Sequence, residues 1–383
     1  MLYWLLYLKL FHYFPPFRIF RYLTFRTAFA SLTALFTGLI VGPLVINRLR
    51  EFQIGQYIRE EGPKAHQKKA GTPTMGGLLI AISVIIPTLL WADLSNRFVW
   101  IAILATAAFA AIGFTDDYTK VVHHRNLGLT GKAKLGLQIA TSILIAVALI
   151  AMQTRGLYST KLVVPFVKQF RPDLVITSLE HNPHLWPLAF LPFVAFTALV
   201  IVGSSNAVNL TDGLDGLAIG CTLIVSFVFL VLTYLAGNAK ISAYLEIPYV
   251  AGAGELTVFC AAMIGAGLGF LWFNCHPAQV FMGDTGSLAL GGALGLIAVL
   301  IHQPLVLVIA GGVFVMEAVS VILQRGWFRY TKKKYGAGRR IFLMAPIHHH
   351  FEKKGWYESQ VVMRFYILCF LFAVVALSTL KIR

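Results

Sequence analysis

The chain has 383 residues, of which 58% are hydrophobic and 13% are charged, and its mean hydropathy is +0.75. This composition excludes a soluble globular protein, because no soluble core of this size could bury so much apolar surface, and it is typical of polytopic membrane proteins. The net charge of +16 is a signal for orientation in the membrane, and it would also attract anionic lipids or a phosphorylated ligand. The apolar composition makes a nucleic-acid partner a weak interpretation of this charge.

The four cysteines lie in or beside apolar stretches and show no CxxC spacing. The sequence therefore indicates neither a disulfide framework nor a thiolate metal site.

Ten apolar runs are long enough to cross a bilayer as helices. They cover residues 25–47, 75–92, 98–115, 134–152, 188–208, 214–236, 256–273, 285–303, 305–324 and 361–380. An even number of spans places both termini on one side. Lys and Arg are concentrated in the odd-numbered loops, so we expect those loops to be cytoplasmic and the termini periplasmic. The sequence predicts an all-α membrane protein of one domain, residues 1–383, with residues 1–22 forming an interfacial amphipathic segment.

The first predicted cytoplasmic loop ends in GTPTMGG, residues 71–77, after Lys68 and Lys69. A Gly-rich turn that opens a helix suits an anionic ligand, because the free N–H groups of a helix N-terminus attract negative charge. The alternative is that these glycines and Pro73 only punctuate a loop. Thr74 lies in this turn.

Two adjacent carboxylates, Asp116 and Asp117, follow an uncharged run from residue 98 to residue 114. Acids at a membrane edge can be simple stop signals, because interfacial charge costs little compared with charge in the bilayer centre. Here they are followed in the same loop by Lys120 and Lys132.

The next polar stretch, SSNAVNLTDGLDGLAIG at residues 204–220, contains Asn209, Asp212 and Asp215. Residues three apart share a helix face, so the two acids could act together. An N-cap would explain one of the acids, but it would not explain two acids and their neighbouring amides.

Two further motifs lie on predicted cytoplasmic loops. FNCHPAQVFMGDTGS, residues 273–287, contains Asn274, Phe281, Gly283 and Asp284. Helix capping by Asp284 and interfacial anchoring by Phe281 are the simpler alternatives for this motif. APIHHHFEKKGW, residues 345–356, contains a triplet formed by His348, His349 and His350.

Five of the seven aspartates and the His triplet fall on loops predicted to face the cytoplasm. Acids that converge with lysines and amides at a membrane surface suit phosphate chemistry with Mg²⁺, which binds a few carboxylates together with substrate phosphate oxygens. A site at this edge could receive a soluble nucleotide from one side and a lipid headgroup from the other.

Five motifs in register closely resemble the phospho-N-acetylmuramoyl-pentapeptide transferase family, within the polyprenyl-phosphate sugar-1-phosphate transferases. They are KKAGTPTMGG, GFTDDYTKVV, NAVNLTDGLDGLA, NCHPAQVFMGD and APIHHHFEKKGW. The resemblance implies a bacterial inner-membrane enzyme, expected to be a homodimer. It would transfer phospho-MurNAc-pentapeptide from UDP-MurNAc-pentapeptide to undecaprenyl phosphate with Mg²⁺, giving lipid I and UMP.

The resemblance also implies roles for individual residues. Asp284 would bind Mg²⁺, Phe281 would stack on uracil, and Asp116 and Asp117 would serve the lipid phosphate, with His349 as a further catalytic residue. A larger set is expected to bind substrate: Lys69, Thr74, Lys120, Lys132, Asn209, Asp212, Asp215, Asn274, Gly283, His348 and His350.

Two mechanisms stay open from the sequence. A carboxylate of the Asp pair could act as a base for direct attack by the lipid phosphate, or as a nucleophile that forms a phosphoryl-enzyme. We favour direct attack, with Asp116 as the base.

Two rival functions also stay open. A proton-coupled transporter would place its ionisable residues near the bilayer midplane, whereas here they gather at one edge. Glu317 is the exception, an acid inside the ninth predicted span, for which we favour a structural role. A related UDP-N-acetylhexosamine phosphotransferase is the second rival.

Overall fold

The computed structural model describes residues 1–52, 71–122, 128–167, 170–180 and 185–380. Among these residues, β structure is limited to isolated bridge positions, at Pro73 and between Lys161 and Asp173, and the rest of the regular structure is helical. The α-helices are α1 Leu23–Glu51, α2 Gly77–Trp91, α3 Arg97–Val122, α4 Gly131–Gln153, α5 Thr177–Glu180, α6 Trp186–Ala189, α7 Leu191–Thr211, α8 Leu217–Ala236, α9 Ala239–Leu245, α10 Ala253–Asn274, α11 Gly283–Leu300, α12 Pro304–Ala310, α13 Gly312–Tyr335, α14 Ile347–Lys353 and α15 Glu358–Ser378.

Eight helices of the described chain are long and apolar enough to cross a bilayer, namely α1, α3, α4, α7, α8, α10, α11 and α15. The pair α12 and α13 forms a further candidate span, bent by 84°. Helix α2 is apolar but has 15 residues, which corresponds to about 22 Å at the usual helical rise. Each of the ten predicted runs corresponds to a helix or to the bent pair, which confirms the all-α polytopic membrane fold.

The N-terminal segment, residues 1–22, lies against the bundle as two short helices, Tyr3–Lys9 and Pro15–Arg21, and neither has a buried residue. The guanidinium of Arg26 lies over the ring of Tyr3, 4.5 Å from its centroid. An exposed aromatic and basic segment of this kind fits the predicted interfacial position.

The helix ends lie on two opposite faces of the bundle. On one face, Arg26 near the start of α1 binds Glu255 near the start of α10 and donates to the carbonyl of Trp91 at the end of α2. The amine of Met1 donates to the carbonyl of Leu89 on this same face. The opposite face gathers the ends of α3, α7 and α10 and the starts of α4, α8, α11 and α15. Because α15 runs from this second face to the first, its end lies on the same face as the N-terminal segment.

Helices α10 and α11 are the most enclosed of the spans in the described chain. Helix α10 packs against α1 and α8, and α11 packs between α3 and α7. At the crossing of α3 and α11, a Cβ on Gly113 would overlap the backbone of Asp284 and Thr285. Glycine therefore permits backbone contact at this crossing, which brings the end of α3 against the start of α11.

Candidate active site

Three carboxylates meet where the end of α3 reaches the start of α11. One oxygen from each of Asp116, Asp117 and Asp284 lies within 4.8 Å of the others, and the two α3 carboxylates are 3% and 4% exposed. We call these three residues the acidic cluster. Like charges held so closely in a partly buried place repel one another, so they require positive partners.

Two lysines supply that positive charge. Nζ of Lys120 lies 2.6 Å from Asp116 Oδ2 and 2.7 Å from Asp284 Oδ2. Nζ of Lys134 lies 2.7 Å from the same Asp284 oxygen. Lys120 was among the predicted site residues. Lys134 was not, and Lys132, whose side chain is exposed, was named instead. Residues two apart on a helix point about 200° away from each other, so only one of these two lysines can face the cluster.

The two aspartates of α3 have different partners. Asp117 Oδ2 accepts hydrogen bonds from the backbone N–H of Thr285, at 2.9 Å, and from its hydroxyl, at 2.8 Å. Asp117 therefore satisfies a free N–H in the first turn of α11. Asp116 instead accepts from the backbone N–H of Leu129 at 2.9 Å and faces Lys120.

The turn between α7 and α8, residues 212–216, borders the cluster. At the end of α7, Asn209 donates to Asp284 Oδ1 at 2.6 Å and to the Ser287 hydroxyl at 2.8 Å. Both oxygens of Asp284 are thus fixed in orientation. Asp212 accepts from the backbone N–H of Gly283, and burial, reinforced by the charge of Asp284, raises the pKa of Asp212 to about 8.

Asp215 lies on the far side of this turn in a second group of side chains. Its Oδ2 is 3.1 Å from His276 Nδ1 and accepts from the backbone N–H of Ala278 at 3.1 Å. Its own N–H donates to Glu358 Oε1 at 2.8 Å. Glu358, in the first turn of α15, was missed because its partners are far away in sequence.

Asn274 is buried and joins the α7–α8 turn to the segment before α11. Its Oδ1 accepts from the N–H of Gly216 at 3.1 Å, and its Nδ2 donates to the carbonyl of Val280 at 2.8 Å. The structure thus gives this predicted substrate-binding amide a supporting contact to two loops.

The GTPTMGG motif pairs with the segment before α11. Phe281 donates its N–H to the carbonyl of Pro73 at 2.8 Å, and the N–H of Gly76 returns to the carbonyl of Phe281 at 2.9 Å. Gly283, with φ +70°, adopts a backbone conformation that favours glycine, and a Cβ there would meet Asp117 and the Thr74 hydroxyl. The motif therefore braces the loop that carries Phe281 and Asp284. Lys69 lies outside the described residues.

The His triplet opens α14, where each ring faces a different group. His349 Nδ1 lies 2.7 Å from Glu352 Oε2, and His350 Nδ1 accepts from the N–H of Leu343 at 3.1 Å. His348, which was also predicted to bind substrate, has a side chain that is 0% exposed and faces Glu317. Its predicted contact with substrate stays a prediction.

The acidic cluster fits a divalent cation. Its donors are carboxylate oxygens, which are the hard ligands that Mg²⁺ prefers, and substrate phosphate would complete such a site. The group formed by Asp215, His276 and Glu358 offers mixed nitrogen and oxygen donors, which suits Mg²⁺ less well.

Comparisons with known proteins agree with this geometry. Residues 99–302 match the model for glycosyl transferase family 4, and residues 69–80 match phospho-N-acetylmuramoyl-pentapeptide-transferase signature 1. The chain is 64% identical, over the full length of both proteins, to the phospho-N-acetylmuramoyl-pentapeptide-transferase of Koribacter versatilis. It is also 64% identical to that of Acidobacterium capsulatum and 56% identical to that of Solibacter usitatus, again over the full length of each.

Proposed function

Because the chain belongs to the phospho-N-acetylmuramoyl-pentapeptide-transferase family, we propose that it transfers phospho-MurNAc-pentapeptide from UDP-MurNAc-pentapeptide to undecaprenyl phosphate. The products would be lipid I and UMP, and the reaction would be the first membrane step of peptidoglycan synthesis. It is a multi-pass membrane transferase, and we assign it to the bacterial inner membrane with the acidic cluster on the cytoplasmic face.

The observation that carries this proposal is the meeting of three carboxylates and two lysines at the helix ends of one face. Mg²⁺ bound there would neutralise the diphosphate of the nucleotide and the charge that develops during phosphoryl transfer. Asp284 is the principal ligand in this proposal, because its carboxylate lies within 4.8 Å of both α3 carboxylates and Asn209 orients its Oδ1.

The different partners of the two α3 acids favour Asp116 as the base. Asp117 Oδ2 accepts from both donors of Thr285, whereas Asp116 Oδ2 faces the ammonium group of Lys120 at 2.6 Å. Asp116 would accept the proton of the lipid phosphate, and a lipid phosphate oxygen would attack the phosphorus joined to MurNAc. The bond from that phosphorus to the UMP oxygen would break, and UMP would leave.

The nucleotide would lie beside the α7–α8 turn and the Phe281 loop. The Phe281 backbone is fixed at both its N–H and its carbonyl, which would position the ring to stack on uracil. Asn209, Asp212 and Gly283 lie between this loop and the acidic cluster, where they could contact ribose and phosphate.

UMP release tests the activity directly. Purified protein in detergent should release UMP from UDP-MurNAc-pentapeptide only when both undecaprenyl phosphate and Mg²⁺ are present. If active lipid and nucleotide give no UMP, the proposed function is wrong. UDP-N-acetylglucosamine, supplied in parallel, tests the rival hexosamine phosphotransferase and should give no product.

Two substitutions test the assigned residues. Asp284→Asn should abolish Mg²⁺-dependent turnover and leave the protein folded, while Glu51→Gln, an exposed acid at the end of α1, should retain activity. Phe281→Ala should raise the KM for the nucleotide about tenfold, which corresponds to a lost aromatic stack of ~1.4 kcal/mol, and should change kcat little. Normal nucleotide KM in this variant would exclude stacking.

Labelling of the native cysteines tests which side of the membrane carries the acidic cluster. Cys275 is exposed and follows Asn274, which bonds the α7–α8 turn, and Cys221, Cys260 and Cys369 are buried. A membrane-impermeant maleimide should label Cys275 in inside-out vesicles and leave it unlabelled in intact spheroplasts. The reverse result would place the acidic cluster on the wrong side of the membrane for a cytoplasmic nucleotide.

A further inference from the structure

Glu317 is an acid inside a membrane-spanning segment that the proposed chemistry does not use. It lies in the second turn of α13, just after the bend from α12, and its side chain is 0% exposed. A buried carboxylate is costly unless a polar partner satisfies it. The position of Glu317 therefore requires a specific neighbour.

That neighbour is His348 in the first turn of α14. Its Nδ1 lies 3.1 Å from Glu317 Oε1, and the His348 side chain is also 0% exposed. The contact joins a membrane-spanning helix to the cytoplasmic-side segment that carries the His triplet. Neither side chain makes a hydrogen bond to another described residue, so the position of the imidazole depends on its close approach to the buried carboxylate.

The other edge of the same ring lies against the α7–α8 turn. A Cβ on Gly213 would overlap His348 Nε2 and would lie 2.8 Å from Cε1. Gly213 does not have a positive φ, so alanine could adopt its backbone conformation, and the constraint at this position is space for the ring. Gly213 directly follows Asp212 and precedes Asp215 by two residues, so the ring supports the turn that holds both acids.

We infer that Glu317 is a positioning residue for nucleotide binding, which acts by holding His348 against Gly213 and so fixing the α7–α8 turn. This inference rests on the proposed function. It assigns neither Glu317 nor His348 a contact with substrate.

The inference predicts the same defect from two substitutions on opposite sides of the ring. Glu317→Leu removes the partner of His348, and Gly213→Ala pushes the ring away from the turn. Each should raise the KM for UDP-MurNAc-pentapeptide about tenfold or more, a typical size for coupled contacts, and leave the KM for undecaprenyl phosphate within about twofold. Because both act through one ring, the double variant should be no worse than the more severe single variant.

Conservative replacement and matched controls separate positioning from general stability. Glu317→Gln keeps an oxygen facing His348 and should restore the nucleotide KM to within about threefold of wild type. Gly203→Ala adds a methyl group in open space on α7 and should behave as wild type. Glu255→Leu removes a largely buried acid on the opposite face and should lower thermal stability without changing the nucleotide KM.

The outcomes are distinguishable. If wild type releases no UMP, the proposed function has failed. If wild type is active and either Gly213→Ala or Glu317→Leu leaves the nucleotide KM unchanged, the positioning role is refuted. It is also refuted if the two effects multiply in the double variant, if both KM values rise together, or if Glu317→Gln is as defective as Glu317→Leu. Should Glu317→Leu fail to fold, Gly213→Ala, which removes no buried partner, decides the question by the same two KM values.

Discussion

Lys134 and Lys132 provide a matched pair for testing the acidic cluster. Both lie in the first turn of α4, but only Lys134 contacts the cluster, 2.7 Å from Asp284 Oδ2, while Lys132 is exposed. Methionine at either position keeps most of the side-chain length and removes the charge. Lys134→Met should therefore damage catalysis, and Lys132→Met should not.

The size of the effect follows from the charges that remain. At an effective dielectric constant of about 20, unit charges 2.7 Å apart attract by about 6 kcal/mol. Lys120 stays at 2.7 Å from the same oxygen and offsets part of the loss, and solvent at the partly exposed Lys134 offsets more. Removing one preorganised charge from a phosphoryl-transfer site costs about 100-fold in rate, or ~2.7 kcal/mol. Lys134→Met should thus lower kcat/KM about 100-fold.

The assay is UMP release at saturating Mg²⁺, with each substrate varied in turn and thermal denaturation as a control for folding. Lys132→Met should stay within about twofold of wild type, because exposed charges contribute little. If the two variants lose activity equally, the helix phase of α4 or the role of Lys134 is wrong.

Three further predictions address the surroundings of the site. Asn206 Nδ2 donates to the buried Gln138 Oε1 at 2.7 Å between α7 and α4, so Gln138→Leu should lower kcat/KM about tenfold. The exchange of Gln138→Asn with Asn206→Gln should restore most of the activity in the UMP assay. Arg26→Ala breaks the 2.6 Å pair with Glu255 and should lower the free energy of unfolding by about 3 kcal/mol, seen as earlier thermal denaturation with normal nucleotide KM. Burial raises the pKa of Asp212 to about 8, so the folded state retains a proton that the unfolded state releases near pH 4, and stability falls as pH rises between these values. In metal-free protein, Asp212→Asn should therefore raise the melting temperature at pH 8 and leave it unchanged at pH 4.

The membrane fold was predictable because backbone N–H and C=O groups cannot hydrogen-bond to lipid. A run of about 20 apolar residues must satisfy its hydrogen bonds internally, so hydropathy alone locates helices. Once the spans are located, alternate loops must lie on opposite faces of the membrane. Asp116, Asp212 and Asp284 could therefore be assigned to one face before their contacts were known. Hydropathy could not predict the bend between α12 and α13, because the sequences of the two helices together form one continuous apolar run.

Contacts that depend on helix phase were harder to predict. The boundary of α4 had to be known before Lys134 could be preferred to Lys132, since both follow the same loop. Capping by Asp117 was equally hidden, because its partner, Thr285, is far away in sequence and the contact depends on the crossing at Gly113.

Glu317 shows why a correct rule can still miss a partner. An acid within a span suggests function, and a proton pathway would require ionisable partners in other spans. The partner is instead His348, on a short helix outside the spans. A helix of seven residues is too short to give a hydropathy signal, so its contact with α13 could only be seen in three dimensions. The contact links Glu317 through His348 to Gly213 in the α7–α8 turn. We therefore expect substitution of this acid to weaken nucleotide binding, whereas in a transporter it would remove proton coupling.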